Sequence, residues 1–213
     1  MKETKLDTNG IYKILRKRII QLEYEPGKIL NEVELAEEFN ISRTPIRKVF
    51  QLLSNDKLLD IIPRLGAQVA SIDFKQMKYV FEVTRVLDPF ATKLAVKRIT
   101  NENIEKLEKI MDRLKSYNIE KDYQNAIKDD EEFHQIIFNS CGNPWLQDML
   151  NSLHYQTERL WHYCEQYFDD IYLFSNTLGK ILEAIKEKDV YKAEKYAELH
   201  IDEFVAKIKE ELL

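Results

Sequence analysis

Only five glycines and five prolines occur in 213 residues. That scarcity argues against a turn-rich all-β chain and favours helices. The two cysteines, Cys141 and Cys164, form no CxxC pair, so a disulfide scaffold is excluded and both read as reduced packing thiols. No apolar run approaches the roughly 20 residues that span a bilayer. The opening MKETKLDTNG lacks the apolar stretch of a secretory signal. These absences predict a cytoplasmic protein with no membrane partner. Tandem repeats and low-complexity tracts are absent, and so is HExxH, the helical zinc-hydrolase motif.

What is present suits a globular chain with a real core. Apolar residues make up 44% and charged residues 32%. The length fits one large domain or two small ones. The net charge of -5 is unevenly spread. Residues 1–72 carry 12 Lys/Arg against 10 Asp/Glu, a balance of +2, and the remainder carries 20 against 27, a balance of -7. The first third can therefore face a polyanion while the rest stays acidic.

Periodicity divides the chain in the same place. NGIYKILRKRIIQLEY has apolar residues at helical spacing, and EPGK breaks it. NEVELAEEF opens with Asn31 and Glu34 spaced as a capping box. A third helix starts after NIS. LLDIIPRLGAQVASI then reads as a hairpin about PRLG. From Asp73 the pattern is helical: 74–99, where Pro89 predicts a kink or break, then 101–117, 122–140, 144–168, 175–187 and 190–212. Asn143 and Pro144 form a helix start. The expectation is a mostly α protein: a winged helix-turn-helix domain over 1–72 and an all-α six-helix bundle over 73–213.

The third helix, SRTPIRKVFQLL, is cationic on one face. Ile46, Val49, Phe50 and Leu53 share the apolar side, while Arg43, Thr44, Arg47, Lys48 and Gln51 share the other. Ser42 is placed to cap the first turn with its hydroxyl. Two guanidiniums one turn apart can fork onto guanine edges or phosphates. Alone, such a helix is more often a solvated amphipathic face. A preceding helix, a tight turn and a following hairpin instead make a winged helix-turn-helix, whose second motif helix enters the major groove.

PGKILNEVELAEEFNISRTPIRKVFQLLSNDKLLDIIPRLGAQVAS resembles the DNA-binding domain of GntR-type bacterial transcription regulators. The shared positions are Pro26, Gly27, Leu30, Leu35, Ala36, Ser42, Arg43, Thr44, Pro45, Arg47, Leu58, Pro63 and Gly66. The resemblance implies DNA contact by Ser42, Arg43, Thr44 and Arg47, helped by a wing around Arg64 and Gly66. Lys48 stands where the family usually has Glu and adds positive charge. Leu65 stands where the wing often has Arg, and Val33 replaces an Arg that some members place on the DNA backbone.

In YQNAIKDDEEFHQIIFNSC, Asp130 and His134 interrupt an apolar stripe one turn apart. His200 does the same on the last helix. Burying an unpaired carboxylate costs several kcal/mol, about 2–7 for a lone polar group and more for a charge. Each other, a cation or a ligand must therefore satisfy these groups. EVTRVLDPFATKLAVKRIT, DEEFH, CGNPWLQDML, ILEAI and AEKYAELH resemble the FCD effector domain, in the family order. The resemblance implies a divalent metal (zinc, nickel or similar) on Asp130, His134 and His200. The family's fourth ligand position is Leu178, which cannot ligate. Either three protein ligands hold the metal with water or an effector oxygen, or the metal has been lost. His162 is a conceivable replacement donor.

Arg85 matches a family arginine, and Arg159 lies on the helix of His162; such side chains suit a small carboxylate by bidentate pairing. The plain alternative for each is a surface or ion-paired arginine, which Arg159 favours. Trp145 and Trp161 read as core and cavity lining. The leading expectation is a homodimeric, ligand-responsive regulator on a pseudo-palindromic double-stranded operator, a repressor released by a small carboxylate. Its rivals are a metal-dependent enzyme using the Asp/His/His cluster and a DNA-binding protein whose helical domain only dimerises.

Overall fold

The computed structural model describes residues 7–165 and 172–212. The chain divides into two compact units between Phe74 and Lys75. Among the described residues no helix is long and apolar enough to cross a membrane.

The first unit holds α1 (Thr8–Ile20), β1 (Ile29–Leu30), α2 (Glu32–Glu38), α3 (Arg43–Asn55), β2 (Leu59–Ile62) and β3 (Gly66–Val69). Its core follows the apolar spacing. Ile11, Leu15 and Ile19 of α1 are fully buried, as are Ile46, Val49 and Leu53 of α3, with Phe50 almost so. Each contributes about 1.5–3 kcal/mol by leaving water, so the apolar side of α3 fixes which side faces out. Asn31 caps α2, but its Oδ1 accepts from the Val33 N–H at 2.7 Å rather than reaching Glu34. Ser42 sits at the N-cap of α3 with extended backbone, yet its hydroxyl makes no capping bond. The side chain is exposed instead.

The hairpin forms as expected, with Ile62 opposite Gly66 and Leu59 opposite Val69. The short β1, which the sequence reading did not anticipate, adds to its far side in the order β1-β3-β2. It is only two residues long, too short for an alternation signal. Gly66 is required twice over. Its φ is +122°, and a Cβ there would lie 2.3 Å from the Leu30 carbonyl oxygen of β1. Gly66→Ala is expected to cost about 1–3 kcal/mol and to loosen the wing, read by thermal melting and by amide exchange in β1 and β3.

The second unit is α4 (Phe74–Val96), α5 (Asn101–Ser116), α6 (Ile119–Ser140), α7 (Pro144–Tyr163), α8 (Tyr172–Lys186) and α9 (Val190–Leu212). α4 continues through Pro89 rather than breaking there. Asn118 caps α6 by accepting from the Glu120 N–H at 3.0 Å, which starts that helix three residues earlier than expected. Asn143 caps α7 with Pro144 in its first turn. The part of the expected 144–168 helix beyond Glu165 lies outside the described residues. α8 packs along α9, and α5 lies against both α6 and α8. Cys141 and Cys164 are buried free thiols. Burial pushes the Cys164 thiol up to about 12, so it stays protonated and inert. Trp145 departs from expectation: it is 79% exposed at the start of α7, whereas Trp161 is buried and stacks on Phe204 at 3.8 Å.

Candidate functional site

Two constellations stand out, one in each unit. In the first unit, a groove of about 350 Å³ runs between the start of α3 and the wing. Arg43, Arg47, Arg64 and Gly66 line it together with Glu32. Ser42, Thr44 and Lys48 are exposed on the same helix end. Arg64 reaches the wing tip through a left-handed turn, φ +69°.

Glu32, on the first turn of α2, was not anticipated. Its carboxylate accepts from Arg43 at 2.9 and 3.2 Å and from Arg47 at 2.8 and 2.9 Å. Burial works against its charge, but the hydrogen bonds from Arg43 and Arg47 outweigh it and hold the carboxyl below its usual range. The guanidiniums remain more than half exposed. They are thus aimed but not hidden, with one anion already between them.

The second constellation is buried. α6 carries two adjacent aspartates with opposite fates. Asp129 accepts from Arg113 at 2.6 to 3.1 Å and from the Tyr117 hydroxyl at 2.7 Å. Asp130 is as deeply buried, yet its Oδ1 has no hydrogen-bond partner. Burial raises the Asp130 pKa. One turn on, His134 Nε2 lies 3.8 Å from Asp130 Oδ2, and His200 Nε2 from α9 lies 3.7 Å from Asp130 Oδ1. The two Nε2 atoms are 3.2 Å apart. Donor atoms of Asp130, His134 and His200 all fall within 4.8 Å of one another.

These residues fit a cation. Two nitrogens on one tetrahedral zinc stand roughly 3.3 Å apart, from bond lengths near 2.0–2.1 Å. The far edges of both rings are held from behind, as metal-bound histidines usually are. His134 Nδ1 faces Asp88 Oδ2 at 3.5 Å, and His200 Nδ1 meets the Thr177 hydroxyl at 2.8 Å. For Asp88, burial is outweighed by the hydrogen bond and charge of His134, so its pKa is lowered. Burial, with the neighbouring His134, pushes His200 down to about 3. A neutral ring with a free Nε2 lone pair is the form that ligates.

The remaining expected residues do not converge here. Leu178 is fully buried and offers no donor. His162 is buried, and burial pushes it down to about 4, but it does not line the cavity at Asp130. It follows Trp161, which does, and successive helical residues turn by about 100°. Arg85 is on the surface rather than at the cavity. Its guanidinium donates to Asp202 at 2.7 and 3.0 Å and pairs with Glu198 at 2.8 Å. Thr84 and Asp88 are the buried, cavity-lining residues of that part of α4. Arg159, a candidate for the effector whose plain alternative is a surface or ion-paired arginine, is 1% exposed, and burial pushes it down to about 10. It too is absent from the cavity wall.

His154 of α7 was missed. Its ring lies 4.7 Å from that of His134, centroid to centroid, and its Nδ1 meets Glu131 Oε2 at 2.5 Å. Burial opposes its charge, but the Glu131 carboxylate wins and pushes it up to about 9. The signal was in the sequence: His154 and Thr157 interrupt the stripe Leu146, Leu150, Trp161, just as Asp130 and His134 interrupt theirs.

Comparison with known proteins places both units. The pattern described as "Bacterial regulatory proteins, gntR family" matches residues 7–69, and that of the FCD domain matches residues 79–203. The gluconate operon transcriptional repressor of Bacillus licheniformis is 31% identical over 139 residues, 65% of this chain and 57% of that protein. The chain thus spans under two thirds of that relative. The HTH-type transcriptional repressor RspR of Escherichia coli K12 is 23% identical over 202 residues, 94% of this chain and 88% of the relative. Among solved structures, E. coli McbR/YncC superposes with a TM-score of 0.82 at 20% identity, covering 95% of this chain and 97% of that one, which speaks to the fold. The matched patterns and these named relatives are regulators, not enzymes.

Proposed function

This chain belongs to the gntR family of bacterial regulatory proteins, in the branch that carries an FCD domain, and from that premise we propose that it is a transcriptional repressor whose hold on DNA responds to a small carboxylate. The observation that carries the DNA-reading half is the convergence of Arg43, Arg47 and Arg64 on one exposed groove beside the wing. Ser42, Thr44 and Lys48 extend that contact along α3. A free Ser42 hydroxyl suits a phosphate contact better than an internal cap.

Glu32 then acts as a placeholder for the phosphate or base edge that the two arginines take. Glu32→Gln removes that anion and leaves the shape. Non-specific DNA is expected to bind several-fold tighter, with a salt slope steeper by about one. The ratio of operator to non-specific affinity is expected to fall. Fluorescence anisotropy on matched and scrambled duplexes across a salt series reads both.

For the helical unit, the support is the buried Asp130–His134–His200 cluster with its unpartnered carboxylate oxygen. Those three residues would hold a divalent metal, zinc or nickel by the imidazole and carboxylate donors. Held there, a metal would offer a Lewis-acidic position to a carboxylate oxygen. Thr84 and Thr157 line the same cavity; their hydroxyls donate to the Val80 and His154 carbonyls at 2.9 and 3.0 Å, so either must turn from its helix to donate to a bound acid. Arg85 and Arg159 are less suited to that task, the first being engaged by acids on α9 and the second standing outside the wall. A thermal-shift screen of small carboxylates tests the reading. A rise in Tm that needs metal and disappears with chelator is expected, and none with any acid would refute it.

An exposed apolar stripe on α4 supports a homodimer. Tyr79, Val83, Val86 and Phe90 are spaced four, three and four apart and are 44% to 66% exposed. Such a stripe matches the seam of paired helices, and a two-fold dimer would present two headpieces to a pseudo-palindrome. Val86→Glu is expected to give monomers by sedimentation at micromolar concentration and to weaken operator binding at least 10-fold.

A further inference from the structure

Three imidazoles surround the cavity, and all three are anchored alike. His134 Nδ1 faces Asp88, His200 Nδ1 meets Thr177, and His154 Nδ1 meets Glu131. In each ring an anchored Nδ1 leaves Nε2 on the opposite edge. A carboxylate or hydroxyl behind a ring is how proteins orient a histidine that binds metal through its other nitrogen. His134 and His200 already present their Nε2 atoms to each other and to Asp130. His154 lines the same cavity, with its ring packed against His134.

We infer that His154 of α7 completes the metal centre as a fourth protein donor, in the role that the buried Leu178 side chain cannot fill. The inference rests on reading Asp130, His134 and His200 as metal ligands. His154 stands outside the group of three whose donors lie within 4.8 Å. A tilt about its Glu131 hydrogen bond brings Nε2 inward while Nδ1–H stays with the carboxylate, any Nε2 proton passing to solvent. The donor set becomes three imidazoles and one carboxylate, from α6, α7 and α9, and an effector oxygen would then join as a fifth ligand. The relocation moves one ligand from α8 to α7. Metal binding would then tie α7 to α6 and α9 and leave α8 without a direct bond.

The rival role for His154 is a buried ion pair with Glu131 that never meets the metal. Metal-stripped full-length protein titrated with cobalt(II) alone, then with zinc(II) in competition with a chelator, separates the two. His154→Gln is expected to lower zinc affinity about 10-fold or more and to change the cobalt visible spectrum. Leu178→His added to His154→Gln is expected to recover most of that loss. Unchanged affinity and spectrum in His154→Gln would overturn the inference. A readout on the unaltered protein guards against a variant that fails to fold. With ¹⁵N-labelled histidine, zinc is expected to shift the Nε2 signals of three rings and leave one untouched; shifts confined to two rings would overturn it equally. If the unaltered protein takes up no metal at all, or His134→Ala binds as tightly as it does, the metal reading itself has failed and the inference falls with it.

Discussion

Replacing Arg43 and Arg47 together by alanine is expected to lower operator affinity by roughly 30-fold to 20,000-fold, from about 1–3 kcal/mol for each well-made bidentate contact. The loss should fall on specific binding. Affinity for scrambled DNA should drop less, because the exposed Lys48 and Arg64 would still be available to phosphates. Folding should be unaffected. Both side chains are more than half exposed, and both pair with Glu32 at the surface of the unit. A gel shift on the region upstream of the protein's own coding sequence checks the first claim, and circular dichroism checks the second. Intact specific binding by a folded double variant would remove α3 as the reading helix.

The second large effect concerns metal. Zinc supplied at about a thousand times its dissociation constant stabilises the folded form by about 4 kcal/mol. In a unit of this size that should raise Tm by roughly 10 °C. His134→Ala should abolish the rise, because His134 stands between Asp88, Asp130 and His200. Asp130→Asn should weaken it and slightly stabilise the metal-free protein, since it removes a buried charge whose Oδ1 has no hydrogen-bond partner. Differential scanning fluorimetry with and without chelator reads all three. A zinc shift that survives His134→Ala would place the metal elsewhere.

Much of the architecture was legible because the signals were local. Apolar spacing placed α1, α3 and the helices of the second unit, and PRLG with Gly66 placed the wing. Asn143 with Pro144 marked a helix start that the structure keeps. The misses were tertiary. β1 is two residues long and exists because β3 lies beside it. Of the kink or break that Pro89 predicts, the break does not occur: α4 runs on through it, with Asp88, Ala91 and Thr92 all buried. Neither Arg85 nor Arg159 reaches the cavity: charge pattern alone could not say that α9 brings Asp202 and Glu198 to the first, or that the second would be enclosed outside its wall. His154 and Glu32 went unseen for opposite reasons. His154 repeated a signal already recognised at His134, an inward polar residue in an apolar stripe. Glu32 looked like an ordinary acidic residue in the first turn of a helix, and only folding brings it between Arg43 and Arg47.

On the proposed function, the unit that reads DNA and the unit that binds the carboxylate are coupled. Anisotropy of a labelled operator duplex, with zinc-loaded protein and a carboxylate that raises its Tm, tests that coupling directly. The apparent Kd for the operator is expected to rise by about 5- to 150-fold when the carboxylate is added, and His134→Ala should show no response. A carboxylate that raises Tm through the metal centre yet leaves operator affinity unchanged would contradict the account.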